Sequence, residues 1–137
     1  AKCNLVNDVI AIAAPIDYKQ HGRNTEEEYD LNKLKEELVN AYPNEWRVDF
    51  SVWSSFVNGQ LDINPIDYGD VLAKKNTFLI HGQADLSVSP KRSILFHEMI
   101  RTGNGNHCLL LMPNSGHLGC YCIGDKILFD HIKKWLH

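Results

Sequence analysis

The chain has 137 residues, which is enough for one domain with its own hydrophobic core. Its 14 basic and 17 acidic residues give a net charge of −3, and the sequence has no stripe of basic residues. We therefore expect neither nucleic acid nor an anionic membrane surface as a partner. No run of about 18 apolar residues occurs in the sequence, so we predict no membrane-spanning helix.

The four cysteines are Cys3, Cys108, Cys120 and Cys122. Their spacing is typical neither of a dense disulfide framework nor of a standard zinc pair. Reduced thiols in a cytoplasmic protein are the simpler interpretation, with Cys108 as a small residue buried in an apolar run. The N-terminal segment does not have the pattern of a signal peptide. Because the first predicted strand follows it almost at once, we expect the chain to be part of a longer protein.

Three short apolar runs predict β-strands that are buried on both faces. They cover residues 9–14, 77–80 and 108–112. None of them alternates apolar with polar residues, and such continuous runs are typical of strands in a parallel sheet. Pro15 and Pro113 follow the first and third runs and predict the ends of those strands, because proline has no N–H to donate to the ladder.

Apolar residues at helical spacing predict four helices. A candidate capping box at residues 25–28 precedes a first helix with the pattern Leu31, Leu34, Leu38 and Val39. A second helix carries a stripe of bulky residues that either packs on the sheet or lines an apolar substrate pocket: Trp46, Phe50, Trp53 and Val57. Ser89 and Pro90 begin a third helix, which continues to Gly103, and Asp125 caps the last one.

The alternation of strands and helices predicts an α/β fold, with a parallel sheet, flanking helices and right-handed crossovers. Residues 15–76 separate the first two strands and are far longer than a simple crossover. We therefore expect a helical, cap-like insertion at about 15–60. The whole chain, 1–137, is predicted to form a single domain.

Two polar residues follow neighbouring predicted strands. Asp85 lies just beyond the second strand, and His117 lies just beyond the third. Catalytic groups gather at the carboxyl ends of strands in open α/β sheets, so we expect the two side chains to meet. An aspartate bonded to an imidazole fixes its tautomer and stabilises the imidazolium formed in general-base catalysis. The alternatives are that Asp85 caps a turn near Ser87 and that His117 is a surface loop residue.

The motifs around these residues resemble the α/β-hydrolase superfamily, especially its esterase and prolyl-oligopeptidase-like branches. Residues 81–85 read His-Gly-Gln-Ala-Asp and residues 115–117 read Ser-Gly-His. In that family the first motif supplies the triad acid and the second supplies the base. The resemblance extends over residues 5–14 and 61–137 and implies that Asp85 and His117 are catalytic, whereas residues 15–60 match nothing specific.

The superfamily places its nucleophilic serine in a Gly-x-Ser-x-Gly turn before the acid. No such motif occurs in the 137 residues. The resemblance therefore implies the C-terminal half of an α/β-hydrolase fold, a partial domain that supplies Asp85 and His117 to a serine outside this chain. It further implies an ester, thioester or peptide substrate, no cofactor and no metal. The expected partner is the N-terminal half of the hydrolase, or another copy of this chain at an open sheet edge.

Two other interpretations remain open at this point. A hydrolase-derived scaffold without a nucleophile can serve as a binding or interaction module, since folds are reused for unrelated functions. Imidazoles and thiolates also suit zinc, although the spacing of the four candidate ligands is irregular: His107, His117, Cys120 and Cys122. We expect His81 to have a structural role at the strand end. Five other histidines have no partner pattern and are expected to be solvated if no metal is bound: His21, His97, His107, His131 and His137.

Overall fold

The computed structural model describes residues 5–19, 30–121 and 126–136. Its centre is a three-stranded parallel sheet in the order β1-β2-β3, and the strands are Asp8–Ile12, Asn76–Gly82 and His107–Met112. The helices are α1 (Leu31–Ala41), α2 (Phe50–Val57), α3 (Gly69–Leu72), α4 (Pro90–Ile100) and α5 (Lys126–Leu136). Short 3₁₀ turns cover Pro65–Tyr68 and Leu118–Tyr121. The predicted α/β class, with a parallel sheet and flanking helices, is confirmed.

The first strand ends earlier than the proline signal predicted. β1 stops at Ile12, and Ala13 adopts a positive φ of 45°. The N–H of Ala13 still bonds to the carbonyl oxygen of Ile80 at 2.8 Å, so the chain leaves the sheet immediately after this last link. Pro15 therefore follows a turn and does not end the strand itself.

Helices cover both faces of the sheet because successive strand residues point to opposite sides. On one face, Leu79 packs in a buried cluster with Ile16 and with residues of α3 and α4: Leu72, Phe96 and Ile100. On the other face, Phe78 and Ile80 pack against Leu128 of α5. The prediction that all three strands are buried on both faces holds only for β2, the central strand, which anchors the loop that carries Asp85. β1 and β3 are partly exposed, because they form the two edges of the sheet.

The insertion between β1 and β2 contains α1 and α2, neither of which has a fully buried residue. The N-cap of α1 is Asp30, whose side chain accepts from two backbone N–H groups of the first turn. The capping box predicted at residues 25–28 lies outside the described residues. So does Asp125, the predicted cap of α5.

The predicted stripe on α2 is wrong at two of its four positions. Trp46 precedes the helix, which begins at Phe50, and the Phe50 side chain is 60% exposed. The aromatic contacts instead run from Trp46 to Trp53 and from Trp53 to Phe56, each with ring centroids 5.4 Å apart. The helix starts late because the Asp49 side chain accepts from the N–H of Ser51 and fixes the N-terminus there.

No helix within the described ranges combines the length and apolar character needed to cross a membrane.

Candidate catalytic site

The loops that follow β2 and β3 are joined to each other by backbone hydrogen bonds. The N–H of Gln83 donates to the carbonyl oxygen of Met112, and the N–H of Ala84 donates to that of Ser115, both at 3.0 Å. These bonds continue the parallel pairing past the end of the sheet. The segments that carry Asp85 and His117 are therefore fixed relative to each other before any side-chain contact is considered.

Gly82 explains why glycine follows the histidine in the first motif. A Cβ at this position would overlap the backbone carbonyl group of Ser115. The close approach of the two loops thus requires a residue without a side chain. The His-Gly signal in the sequence marks the point at which the second loop crosses over the end of β2.

The two carboxylate oxygens of Asp85 have separate roles. Oδ1 accepts from the backbone N–H groups of Ser87 at 2.8 Å and of Val88 at 3.0 Å. This is the turn-capping role that we considered as an alternative, and it holds the side chain in one orientation. The second oxygen, Oδ2, remains for the histidines, so capping and dyad formation occur together.

His117 meets Asp85 as the strand-end argument predicted. Its Nδ1 lies 2.9 Å from Oδ2 of Asp85. The carboxylate is buried, with Asp85 3% exposed, while the His117 side chain is 31% exposed. A carboxylate only accepts, so Nδ1 carries the proton and the neutral ring has an unprotonated Nε2. This is the tautomer that a general base needs.

His81 also contacts the carboxylate, and the ring is completely buried. Its Nε2 lies 2.9 Å from the carbonyl oxygen of Val88 and 3.2 Å from Oδ2 of Asp85. Its Nδ1 lies 2.7 Å from Oγ of Ser93 on α4. The structural role expected of His81 is therefore supported by these contacts. Sequence reasoning missed Ser93; the available signal was a polar side chain inside a buried strand, which requires partners.

Cys120 fixes the loop from the other side. The residue is fully buried, and its Sγ lies 3.7 Å from the carbonyl oxygen of Gly116 and 3.7 Å from Oγ of Ser115. These are the two residues immediately before His117. The thiol therefore packs as a small hydrophobic group with weak hydrogen bonds, and it supports the backbone that presents the imidazole.

The candidate zinc ligands do not converge. His107 begins β3 and His117 follows its other end, while Cys122 lies outside the described residues. Across residues 5–19, 30–121 and 126–136, no group of three or more His, Cys, Asp or Glu side chains is placed to hold a metal ion. The prediction that His107 is solvated is wrong, because its Nε2 bonds to the carbonyl oxygen of Ala73 at 3.1 Å.

Four other histidines were predicted to be solvated. His97 is half-buried and His131 is exposed, whereas His21 and His137 lie outside the described residues. Cys108 and Cys120 form no disulfide in the described part of the chain. The arrangement at the sheet edge thus offers an oriented acid and a base, in a chain whose sequence has no nucleophile motif.

Comparison of the sequence with models of protein families gives no match. Comparison with curated proteins gives no significant similarity. The geometry of the site and the motifs that produce it are therefore the observations that indicate a function.

Proposed function

We propose that this chain supplies the acid and the base of a Ser-His-Asp triad to a serine hydrolase of the α/β-hydrolase type. The observation that carries the proposal is the 2.9 Å contact between Asp85 Oδ2 and His117 Nδ1 at the carboxyl ends of adjacent parallel strands. The substrate class is an ester, a thioester or a peptide, because these are the acyl groups that such a triad transfers. The insertion between β1 and β2 is the segment that would shape the substrate site.

The chemistry assigns one task to each residue. His117 Nε2 accepts the proton of the serine hydroxyl as the oxygen attacks the acyl carbon, and later donates it to the leaving group. Asp85 remains ionised, holds the imidazole in the required tautomer and stabilises the imidazolium. Proton transfer by a positioned base contributes roughly 10²–10⁴-fold to such a rate. Burial of the carboxylate supports this role, because its interaction with the imidazolium is then little screened.

The nucleophile is proposed to lie on another polypeptide segment, the N-terminal half of the hydrolase. In the superfamily that the two motifs resemble, the serine comes first in the sequence, followed by the acid and then the histidine, so the serine would precede Asp85. The outer edge of β1 is where such a segment would add strands to the sheet. The thiols of Cys108 and Cys120 suit a reducing compartment such as the cytoplasm.

A second candidate function is a non-catalytic binding or interaction module. The observation that favours it is the absence of Gly-x-Ser-x-Gly from residues 1–137. A scaffold that lost its nucleophile would keep the Asp85–His117 contact for its contribution to loop structure.

Labelling with a fluorophosphonate tests the proposal. The probe would be applied to the natural polypeptide that contains this sequence, and to its His117→Ala and His97→Ala variants. His97 is the matched control because it lies on α4 and not at the dyad. We expect labelling of the natural protein and the His97 variant, and its loss in the His117 variant. An unlabelled but folded natural protein would support the binding module, and labelling that survives His117→Ala would contradict the assigned base.

A further inference from the structure

Oδ2 of Asp85 lies close to a nitrogen atom of each of two imidazoles. His117 Nδ1 donates a hydrogen bond to this oxygen at 2.9 Å, and His81 Nε2 lies 3.2 Å from the same oxygen. A triad needs only the first of these contacts. The second is made by a ring that is completely buried beneath the site, so its effect on the carboxylate is not diluted by solvent.

The partners of His81 define which nitrogen carries its proton. The carbonyl oxygen of Val88 can only accept, so Nε2, at 2.9 Å, is the donor. The Ser93 hydroxyl, 2.7 Å from Nδ1, then donates to that nitrogen. In this arrangement His81 donates its Nε2–H to Val88, while Nε2 itself lies 3.2 Å from Oδ2 of Asp85.

A continuous set of polar contacts, of which the first and the last are hydrogen bonds, therefore connects α4 to the candidate base. It runs from Ser93 to His81, from His81 to Asp85, and from Asp85 to His117. The titratable groups with a contact to the carboxylate in the described part of the chain are His81, on β2, and His117, on the loop after β3. α4 contributes the neutral hydroxyl of Ser93. The Cys120 thiol, on the 3₁₀ turn after His117, contacts the backbone of that loop instead.

We propose that His81 is a positioning residue that sets the basicity of His117 by placing the dipole of its Nε2–H beside the Asp85 oxygen. An N–H dipole beside a carboxylate stabilises its charge and leaves less of that charge to stabilise a neighbouring imidazolium. With His81 in place, His117 is less basic than it would be beside an unshared carboxylate. The idea deepens the proposed function and rests on it for its catalytic meaning, because a base works best with a pKa near the operating pH.

The test compares two substitutions of similar length. His81→Met removes the N–H dipole beside Asp85, whereas His81→Gln keeps an N–H group at the end of an unbranched side chain. The pKa of His117 would be measured from the pH dependence of its ring carbon and proton signals by NMR, on the 137-residue chain. We expect the His117 pKa to rise by roughly half to one unit in His81→Met and to stay close to the natural value in His81→Gln.

The readout separates positioning from a merely structural role. A structural role would lower the melting temperature in both variants and leave the His117 pKa where it is. An unchanged His117 pKa in a folded His81→Met protein would overturn the proposal. Should that variant not fold, Ser93→Ala replaces it: removing the hydroxyl releases the His81 ring, and we expect a smaller rise in the same direction. An unchanged pKa in folded Ser93→Ala would then overturn the proposal.

This titration needs no nucleophile, so it is independent of fluorophosphonate labelling. A rise in the His117 pKa without labelling of the natural protein would support the role of His81 and contradict the hydrolase. Labelling of the natural protein without that rise would support the hydrolase and contradict the role of His81.

Discussion

The carbonyl group of Ser115 occupies the space that a side chain at Gly82 would need. This contact brings the two loops of the candidate site together, because the adjacent N–H of Ala84 bonds to the same carbonyl oxygen at 3.0 Å. The distance between Asp85 and His117 therefore depends on the backbone of both loops and not only on their side chains.

We expect Gly82→Ala to separate the two loops and weaken the Asp85–His117 contact. The added methyl group cannot be accommodated without moving the backbone of one loop, since a carbonyl group is not a flexible neighbour. Overpacking of this kind costs about 1–3 kcal/mol of unfolding free energy. Urea unfolding measures the loss, and the NMR signal of the His117 ring reports the displacement.

Gly116→Ala is the matched control for that substitution. Its nearest neighbour to an added Cβ is the carbonyl oxygen of Ala84 at 3.8 Å, which is an ordinary contact. The variant should keep the natural stability and the natural His117 signal. Equal losses in the two variants would show that any added methyl group in these loops is harmful, and that the Gly82–Ser115 approach is not special.

Asp85→Asn should change the tautomer of the His117 ring and, in a complete hydrolase, reduce turnover by about 10⁴-fold. The amide removes the negative charge that stabilises the imidazolium, and its NH₂ group favours the wrong tautomer of the ring. The nitrogen NMR shifts of the His117 ring report the tautomer on this chain. Asp70→Asn, at an exposed position at the start of α3, is the control and should leave these shifts unchanged. The assignment of Asp85 fails if both variants give the same ring shifts.

Burial raises the pKa of the Cys108 thiol. A smaller fraction of Cys108 is then thiolate at any pH near the ordinary thiol value of roughly 8.5. We expect alkylation of Cys108 to lag behind that of the same residue in the unfolded chain, and its rate to reach half-maximum at a higher pH. Mass spectrometry of the Cys108 peptide after timed exposure to iodoacetamide, with and without urea, measures both quantities.

The raised pKa of the Cys108 thiol also makes the stability of the protein depend on pH. The folded state holds the Cys108 proton to a higher pH than the unfolded state does, so this contribution is complete below the unfolded pKa and is lost as the pH rises through the folded one. Cys108→Ala removes it. The difference in unfolding free energy between the two proteins should therefore change as the pH rises above about 8.5, the ordinary thiol value, and a difference independent of pH there would contradict the shift.

The sequence was a good guide where one local rule decides the outcome. Continuous apolar runs are typical of parallel strands, so the positions of all three strands were predictable. Burial on both faces was predicted correctly only for the central strand. The Asp85–His117 contact was also predictable, because strand ends meet at one edge of a parallel sheet. The end of β1 was not: a backbone bond from Ala13 to Ile80 extends the pairing in a conformation that no residue pattern indicates.

Other features depend on contacts that the sequence does not encode locally. Ser93 reaches His81 from a helix, and their sequence separation of 12 matches no strand or helix period. The stripe predicted from Trp46 to Val57 assumed a single helix, whereas the cap at Asp49 divides that segment. Periodicity alone thus identified an apolar set in the insertion but not where its helix begins.

The outer edge of β1 carries the last prediction. The backbone groups of Asn7 and Ala13 bond to β2. Alternate residues of a strand bond to the same neighbour, so the N–H and C=O groups of Asp8 and Ile10 point away from β2. In the described part of the chain, no strand pairs with this edge. An open groove of about 610 Å³ lies beside it, lined mostly by apolar side chains that include Val9 and Ala11.

An apolar strand edge beside an apolar groove favours pairing with another chain. We therefore expect the isolated 137-residue protein to self-associate through β1, with a second copy adding a strand to the sheet. Light scattering coupled to size-exclusion chromatography would show species larger than the 15.6 kDa monomer.

Ile10→Lys should shift the population towards monomer, because Ile10 is 38% exposed and a charge on an edge strand opposes pairing. Leu95→Lys also introduces a lysine, at an exposed position on α4, and should leave the association unchanged. A monodisperse natural protein with cooperative unfolding would show instead that the β1 edge is closed within the chain.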